Sequence, residues 1–196
     1  MKKILFALMT LSALFLSIHQ SQAQCDSKSG SSWSAQKVKV GGAEMSPRKN
    51  IVGNLVKSDD HTTLVAAVKA ANLVGTLQGN GPFTVFAPVN DAFENLPKGT
   101  VETLLKPENK GTLSTILTYH VIAGKFDAGA VANAIKAGHG KAELKTVSGG
   151  TLVARMNGDR NVVLEDENGN TANITVYDVE QSNGIVHVID SVVLPK

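Results

Sequence analysis

The residues best suited to chemistry lie near the C-terminus, in the segment GIVHVIDSVVLP from Gly184 to Pro195. His187 and Asp190 interrupt its apolar residues, and a histidine beside a carboxylate is a common pair for general acid–base catalysis. The composition predicts a β-strand, in which successive side chains point to opposite faces. A regular strand therefore keeps His187 and Asp190 apart. Each is predicted to be structural, tying a loop or a helix end to a buried strand.

The other candidate groups show no spacing typical of a catalytic or metal site. The sequence contains no G-x-S-x-G, G-x-x-x-x-G-K-[ST] or H-E-x-x-H motif. The acidic run from Glu165 to Glu167 could supply paired carboxylates or a cation site, but it falls at a predicted turn and is interpreted as a solvated tip. The histidines beyond the first two dozen residues are scattered singly, at His61, His120, His139 and His187. We therefore expect no enzyme, no metal site and no cofactor.

The first 23 residues have the pattern of a secretory signal peptide. Lys2 and Lys3 precede an apolar run from Ile4 to Ile18, and Ser21 and Ala23 have the spacing of a cleavage site. The run is shorter than the roughly 20 residues that a membrane-spanning helix needs. Cleavage after Ala23 is therefore favoured over an N-terminal anchor, and no transmembrane segment is expected after cleavage.

Charge and cysteine content narrow the classes of partner. The signal holds two of the 19 basic residues and none of the 17 acidic ones, so the cleaved chain has 19 − 2 = 17 basic residues against 17 acidic. Without a basic excess, nucleic acid is not an expected partner. The single cysteine, Cys25, excludes an intramolecular disulfide and leaves open whether it pairs with another chain. An apolar core must therefore hold the domain, and 42% of residues are hydrophobic.

The elements expected after the signal begin with a leader and a helical region. Residues 24–47 are rich in serine and glycine and are predicted to be a flexible leader, followed by one domain at residues 48–196. Helical spacing predicts an amphipathic helix within residues 58–77. Asn90 is predicted to cap the next helix and to fix a strand-to-helix corner, with Phe93 turned inward. Further caps are predicted at Thr100 and at Asn109 or Thr112.

The C-terminal part changes from helical to strand periodicity. From about Ala142 onward the apolar residues alternate, and SGG, NGD, ENGN and SNG separate the alternating segments. Glycine and asparagine tolerate the positive φ of tight hairpin turns, so this part predicts an antiparallel meander of four or five strands. Helices early and strands late predict an α+β domain and disfavour a dinucleotide-binding fold.

Three segments, in order, resemble the signature segments of the fasciclin domain. They are TVFAPVNDAF from Thr84 to Phe93, YHVIAGK from Tyr119 to Lys125, and GIVHVIDSVVLP from Gly184 to Pro195. The resemblance spans about residue 48 to the C-terminus. It implies a β-sandwich-like wedge with helices packed on one side. It also implies an extracellular adhesion domain without catalytic chemistry, which binds other proteins, matrix or cell-surface material.

The same resemblance implies four candidate partner-binding residues. In animal members of the family, a Tyr-His segment and an Asp-Ile pair are linked to integrin binding. Tyr119 and His120 match the first, while Asp178 and Val179 occupy the second with valine in place of isoleucine. The alternative is that all four maintain the fold.

Three classes of function remain open from the sequence. The favoured one is a secreted or periplasmic adhesion module whose partner is an extracellular or envelope protein or polysaccharide. The second is a periplasmic protein that binds a small ligand or a glycan, which requires a deep apolar pocket with a few converging polar groups. The third is a hydrolase built on His120 or His187, which requires a serine or carboxylate within hydrogen-bond reach in a cleft.

Overall fold

The computed structural model describes residues 38–158 and 161–196, which contain nine strands and seven α-helices. The predicted signal peptide, Cys25 and the first part of the predicted leader lie outside the described residues. The strands are β1 (Val38–Val40), β2 (Ala43–Met45), β3 (Phe83–Pro88), β4 (Val121–Ala123), β5 (Lys141–Lys145), β6 (Thr151–Asn157), β7 (Asn161–Glu165), β8 (Thr171–Gln181) and β9 (Gly184–Ile189). The helices are α1 (Ile51–Leu55), α2 (Thr62–Ala70), α3 (Val74–Leu77), α4 (Asn90–Glu94), α5 (Thr100–Leu104), α6 (Lys110–Tyr119) and α7 (Ala128–Ala137).

Seven strands form one mixed sheet in the order β4-β3-β9-β8-β7-β6-β5. Strands β5 to β9 run as an antiparallel meander, which confirms the predicted α+β class. β9 also pairs in parallel with β3, and β3 pairs antiparallel with β4. The two edges meet where Ile122 bridges Thr146 and the Val147 N–H donates to the Val121 carbonyl over 2.8 Å. The sheet therefore nearly closes on itself.

Two clusters of buried apolar side chains pack on opposite faces of this sheet. One lies between the sheet and helices α1 to α6, and it includes Val186 and Val188. The other lies on the inner face and includes Ile189 of the sheet with Val131 and Ile135 of α7. All six residues of β9 are buried. The alternating side chains of β9 thus serve two cores, as expected for a strand that is apolar on both faces.

The predicted leader needs correction over residues 38–47, which belong to the folded domain. β1 and β2 form an antiparallel hairpin whose turn residues Gly41 and Gly42 have φ angles of +53° and +73°. Val40 and Met45 are only 5% and 3% exposed, because they pack into the cluster beside α1. Burial of these two side chains fixes the hairpin against the helices.

The predicted helix within residues 58–77 is divided into shorter elements. A 3-10 turn at Asp59–His61 precedes α2, and α3 follows after a break. The break occurs where Asn72 adopts a φ of +61°, a left-handed conformation that ends α-helices. Helix α7 lies in a segment for which the sequence analysis predicted no element, and the Asp127 carboxylate caps it by accepting the Ala130 N–H over 2.7 Å.

Asn90 stabilises a different helix from the one predicted. The N-cap of α4 is Val89, and Asn90 is the first helical residue. Its Oδ1 accepts the Thr63 N–H over 3.0 Å, and its Nδ2 donates to the Asp59 carbonyl over 2.8 Å. Asn90 thus caps the N-terminus of α2, although it lies in a different helix and much later in the chain. Phe93 is half-buried against the first core cluster, in the inward direction that was expected.

We expect Asn90→Ala to lower the free energy of unfolding by about 1–2 kcal/mol, the usual cost of losing an N-cap. The change removes the acceptor for Thr63 and the donor for the Asp59 carbonyl. Urea denaturation measures the difference. Asn95→Ala is the control, because Asn95 is an exposed asparagine at the C-terminal end of α4, the helix that begins with Asn90. Equal stability of the two variants would contradict the capping role.

Candidate interaction surface

Tyr119 and His120, the first candidate pair, are both buried where α6 ends. The Tyr119 side chain is 0% exposed, and its hydroxyl donates to the Thr151 carbonyl over 2.8 Å. Burial raises the pKa of Tyr119 to about 12. His120 is 3% exposed, its Nδ1–H donates to the Ile116 carbonyl over 2.8 Å, and its Nε2 accepts the Val193 N–H over 3.3 Å. Neither side chain is available to a partner in the folded domain.

Asp178 and Val179, the second candidate pair, lie at an irregularity in β8 where its register against β9 shifts. Asp178 has a φ of +53°, and its Oδ1 accepts the Ala128 N–H at the start of α7 over 2.8 Å. Val179 is 1% exposed and belongs to the first core cluster. Three of the four candidate residues are therefore buried, which favours the alternative that they maintain the fold.

His187 and Asp190 hold different segments of the chain. The Nε2–H of His187 donates to the Phe126 carbonyl over 2.8 Å, and its Nδ1 accepts the Asp178 N–H over 3.3 Å. These partners fix a neutral tautomer, and burial lowers the pKa of His187 below its ordinary value. The two carboxylate oxygens of Asp190 accept the N–H and the side-chain amide of Asn173, each over 2.8 Å. His187 ties the loop before α7 to the sheet, while Asp190 ties β8 to the end of β9.

Asp166 was predicted to lie in a solvated tip, and this prediction is wrong. Asp166 is 4% exposed, and its carboxylate accepts four hydrogen bonds of 2.9–3.0 Å, from the Asn168 N–H, the Asn170 N–H and side-chain amide, and the Leu194 N–H. The neighbouring Glu167 accepts the Lys196 N–H over 3.3 Å. We call the turn 166–170 together with residues 194–196 the tail clamp. The carboxylate is buried because the C-terminal segment docks over the turn.

Ser58 and His61 form a buried pair that the sequence analysis did not single out. The Ser58 hydroxyl and the His61 Nδ1 are 2.8 Å apart, and the two residues are 2% and 0% exposed. A Cβ placed on Gly41 of the hairpin turn would lie 2.2 Å from the Ser58 hydroxyl, so the turn packs directly on the pair. A serine beside a histidine is a nucleophile–base combination. Here both residues are buried beneath the hairpin turn, which shields the pair from solvent.

Three buried histidines should make the fold sensitive to mild acid. Burial lowers the pKa values of His61, His120 and His187 from 6.5, and that of His120 reaches about 4. The histidines of the unfolded chain bind protons at a higher pH than those of the folded chain. Their contribution to the free energy of unfolding is therefore fully present above pH 6.5 and is lost as the pH drops towards 4. We expect His120 alone to contribute a loss of about 3 kcal/mol across this window.

Urea denaturation at intervals from pH 7.5 to 4.5 measures this dependence. His120→Gln is the control, because glutamine offers a donor and an acceptor without titrating. The variant should lose less stability than the natural chain over the same pH range. A pH dependence that is identical in both proteins would contradict the assignment to His120.

An apolar groove lies between α1, α2 and α3 on the outer side of the first core cluster. We call it the α1–α3 groove. Its volume is about 230 Å³, and Val56 on its wall is 52% exposed. Aliphatic side chains make up most of the lining, with Lys69 and Gln78 as the polar members. The lining residues are Val52, Leu55, Val56, Leu64, Val65, Val68, Lys69, Val74, Leu77 and Gln78.

A second concavity, of about 540 Å³, lies beside the β8–β9 turn, and we call it the polar concavity because most of its lining residues are polar residues or glycines. Asn50, Asn183 and Lys125 are among its lining residues. The Asn183 Oδ1 accepts the Ile51 N–H over 3.1 Å, and the Asn50 Oδ1 accepts the Gly53 N–H over 2.8 Å. These amides are therefore committed to holding α1 in place. Lys125 pairs with Glu180 over 3.1 Å at the surface.

The described ranges contain neither a cluster of metal-ligating side chains nor a helix that could span a membrane. Across residues 38–158 and 161–196, histidine, cysteine, aspartate and glutamate side chains do not gather in threes as metal ligands would. In the same ranges, every helix is too short or too polar to cross a bilayer. The α1–α3 groove and the polar concavity are two candidate binding surfaces of the described residues.

The sequence profile of the fasciclin domain matches residues 59–195. The chain belongs to the fasciclin domain family. Its relatives include Protein sll1483 of Synechocystis, which is 47% identical over 138 residues, covering 70% of this chain and 69% of that protein. Another is the transforming growth factor-beta-induced protein ig-h3 of Sus scrofa, which is 32% identical over 152 residues, covering 77% of this chain and 20% of that protein.

The solved fasciclin domain pair of the insect cell adhesion molecule fasciclin I has the same fold. The TM-score is 0.64 at 21% sequence identity, and the match covers 74% of this chain and 51% of that one. This likeness confirms the fold that the three signature segments implied. The family is associated with adhesion and extracellular-matrix proteins.

Proposed function

We propose that this fasciclin domain is a secreted or periplasmic, non-catalytic adhesion module that binds an extracellular or envelope protein or polysaccharide. The observation that carries the proposal is the α1–α3 groove, an apolar concavity with a half-exposed valine, Val56, on its wall. Exposed apolar concavities are typical of binding surfaces. The N-terminal signal pattern, with Lys2 and Lys3 before an apolar run, supports export.

The non-catalytic part of the proposal rests on how the polar side chains are used. Both ring nitrogens of His120 and of His187 bond to backbone groups, and the Asp166 carboxylate holds the tail clamp. A general base must instead reach a substrate proton in an accessible cleft. We also propose that Tyr119, Asp178 and Val179 contribute to binding only by maintaining the fold.

The polar concavity supports the second candidate function, a small-ligand or glycan-binding protein. Its Lys125 and its amide side chains resemble the groups that orient polar ligands. The candidate ranks second because Asn50 and Asn183 already bond to the backbone around α1.

A pull-down of the purified protein against the envelope and extracellular-matrix fractions of its own organism tests the adhesion proposal. We expect the natural chain to capture a protein or polysaccharide. Val56→Asp should lower capture at least tenfold without changing the melting temperature. Met156→Asp is the matched control, since Met156 is 36% exposed on β6 and lies outside the groove. Equal capture by both variants would overturn the assignment of binding to the groove, and absence of capture from every fraction would overturn the adhesion proposal.

A further inference from the structure

We propose that the α1–α3 groove binds an amphipathic helix of a partner protein, with acidic residues flanking the apolar face of that helix. This inference rests on the proposed function, because it names the kind of partner segment that the same surface accepts. Three features of the groove carry it: the nature of its walls, its size and the charges along its rim.

The walls of the groove favour a helical partner over an extended one. They consist of side chains from α1, α2 and α3, whose backbone groups are engaged in helical hydrogen bonds. An extended peptide would gain no backbone partners from such walls, and its own N–H and C=O groups would lose water. A helix satisfies its backbone internally and presents only side chains. The groove therefore suits the apolar face of a helix.

The size of the groove favours anchor side chains over an enclosed small molecule. Pockets that enclose small ligands typically have volumes of roughly 300–1,000 Å³, whereas this groove has about 230 Å³. The smaller volume accommodates a few aliphatic side chains spaced at i, i+3 or i+4 on a helix. The rest of the helix would stay in solvent, beside the exposed Val56.

The charges at the groove are positive. Lys69 is part of the lining, and Lys57 directly follows Val56 along the chain. The ammonium group of Lys69 on the lining and that of Lys57 next to Val56 complement an acidic ligand.

Within the described ranges, the ion pairs do not involve Lys57 or Lys69. The ion pairs within the described ranges join Lys125 to Glu180 and Arg155 to Glu165, away from the groove. Asp59 and Asp60 are the acidic residues closest in sequence to Lys57, and their backbone lies against the hairpin turn. The Asp59 N–H donates to the Gly41 carbonyl over 3.0 Å, and a Cβ on Gly41 would meet Asp60.

Two fluorescein-labelled synthetic peptides test the inference on the purified protein by fluorescence anisotropy. Both carry leucine at i, i+3, i+4 and i+7 of a helix, and they differ only in having glutamate or lysine at the flanking positions. We expect the glutamate peptide to bind at least tenfold more tightly than the lysine peptide. Its affinity should fall as salt is raised from 50 to 500 mM, because salt screens exposed charges.

A charge reversal then assigns the binding to this groove. The double variant Lys57→Glu with Lys69→Glu should prefer the lysine peptide, since the rim becomes acidic. Lys136→Glu is the control, because Lys136 lies in the last turn of α7 as Lys69 lies in the last turn of α2. Thermal melting of each variant verifies that it is folded. Unchanged preference in a folded double variant would overturn the inference.

The other occupants of the groove give different results. Equal binding of both peptides, displacement of the glutamate peptide by dodecanoate, or dimerisation that Val56→Asp abolishes would each overturn the helical acidic partner. Capture of matrix material by a protein that binds neither peptide would overturn this inference and leave the adhesion proposal intact. If both assays give no binding, both proposals fall.

Discussion

Asp166→Ala should lower the free energy of unfolding by about 4 kcal/mol. The substitution leaves three part-buried donors of the turn and the part-buried Leu194 N–H without the carboxylate that accepts them. Each unsatisfied buried donor costs about 1–3 kcal/mol, and partial entry of water reduces the total. Urea denaturation measures the loss. Amide hydrogen exchange should show that the N–H groups of Leu194 and Lys196 lose protection first.

Two further variants distinguish the contribution of the Asp166 carboxylate from that of side-chain shape and of the neighbouring acidic residue. Asp166→Asn keeps the shape but turns amide hydrogens towards donors, so it should also destabilise, by about 2 kcal/mol. Glu165→Ala, which removes an exposed ion pair with Arg155, should cost less than about 1 kcal/mol. A stable Asp166→Ala protein with a protected C-terminal segment would contradict the tail clamp.

His187→Ala should lower the free energy of unfolding by about 3–5 kcal/mol. It leaves the Phe126 carbonyl and the Asp178 N–H unpaired, and it opens a cavity against the Phe86 ring, whose centroid lies 5.6 Å from that of the imidazole. Cavity and hydrogen-bond losses both contribute. Thermal melting measures the loss, and capture of matrix material below the melting temperature should be retained.

Thr175→Ala is the control for this strand pair, because Thr175 is exposed on β8 beside β9. It should change stability by no more than about 0.5 kcal/mol. Unaltered melting of His187→Ala together with lost capture would assign His187 to the binding surface and refute its structural role.

The order and alternation of the strands could be predicted from the sequence because they are local properties. In β9 apolar residues occupy both the odd-numbered and the even-numbered positions, which predicted burial on both faces of the strand. Val186 and Ile189 lie in different core clusters, as this pattern predicts. The turn residues between the strands also identified the meander. The parallel pairing of β9 with β3 could not be predicted, since it joins segments about a hundred residues apart.

The roles of individual polar residues depended on distant partners. Asn90 is of a residue type that commonly caps helices. The helix that it caps is α2, which begins about 28 residues earlier in the chain. Asp166 lies in a turn whose polarity predicts exposure, and it is buried only because the C-terminal segment returns over it. Such roles follow from tertiary contacts, so a local pattern gives the residue type but not its partner.

Two elements carried local signals that the sequence analysis did not use. VKVGGAEM alternates around a glycine pair, which is typical of a hairpin, and Val40 and Met45 supply its buried face. In α7, Asp127 precedes Val131 and Ile135 at helical spacing. The α1–α3 groove gave no such signal, because Val56 and Lys69 come together only when separate helices pack.

The parallel pairing of β3 and β9 has a mechanical consequence. Six residues of β9 pair with Phe83–Pro88, and β8 flanks β9 on its other side. A force that pulls on the C-terminal end of β9 acts along the strand, so it loads the hydrogen bonds on both sides in shear. These bonds must rupture together rather than one after another. The position of β9 in the middle of the sheet therefore makes the domain resistant to a force of this direction.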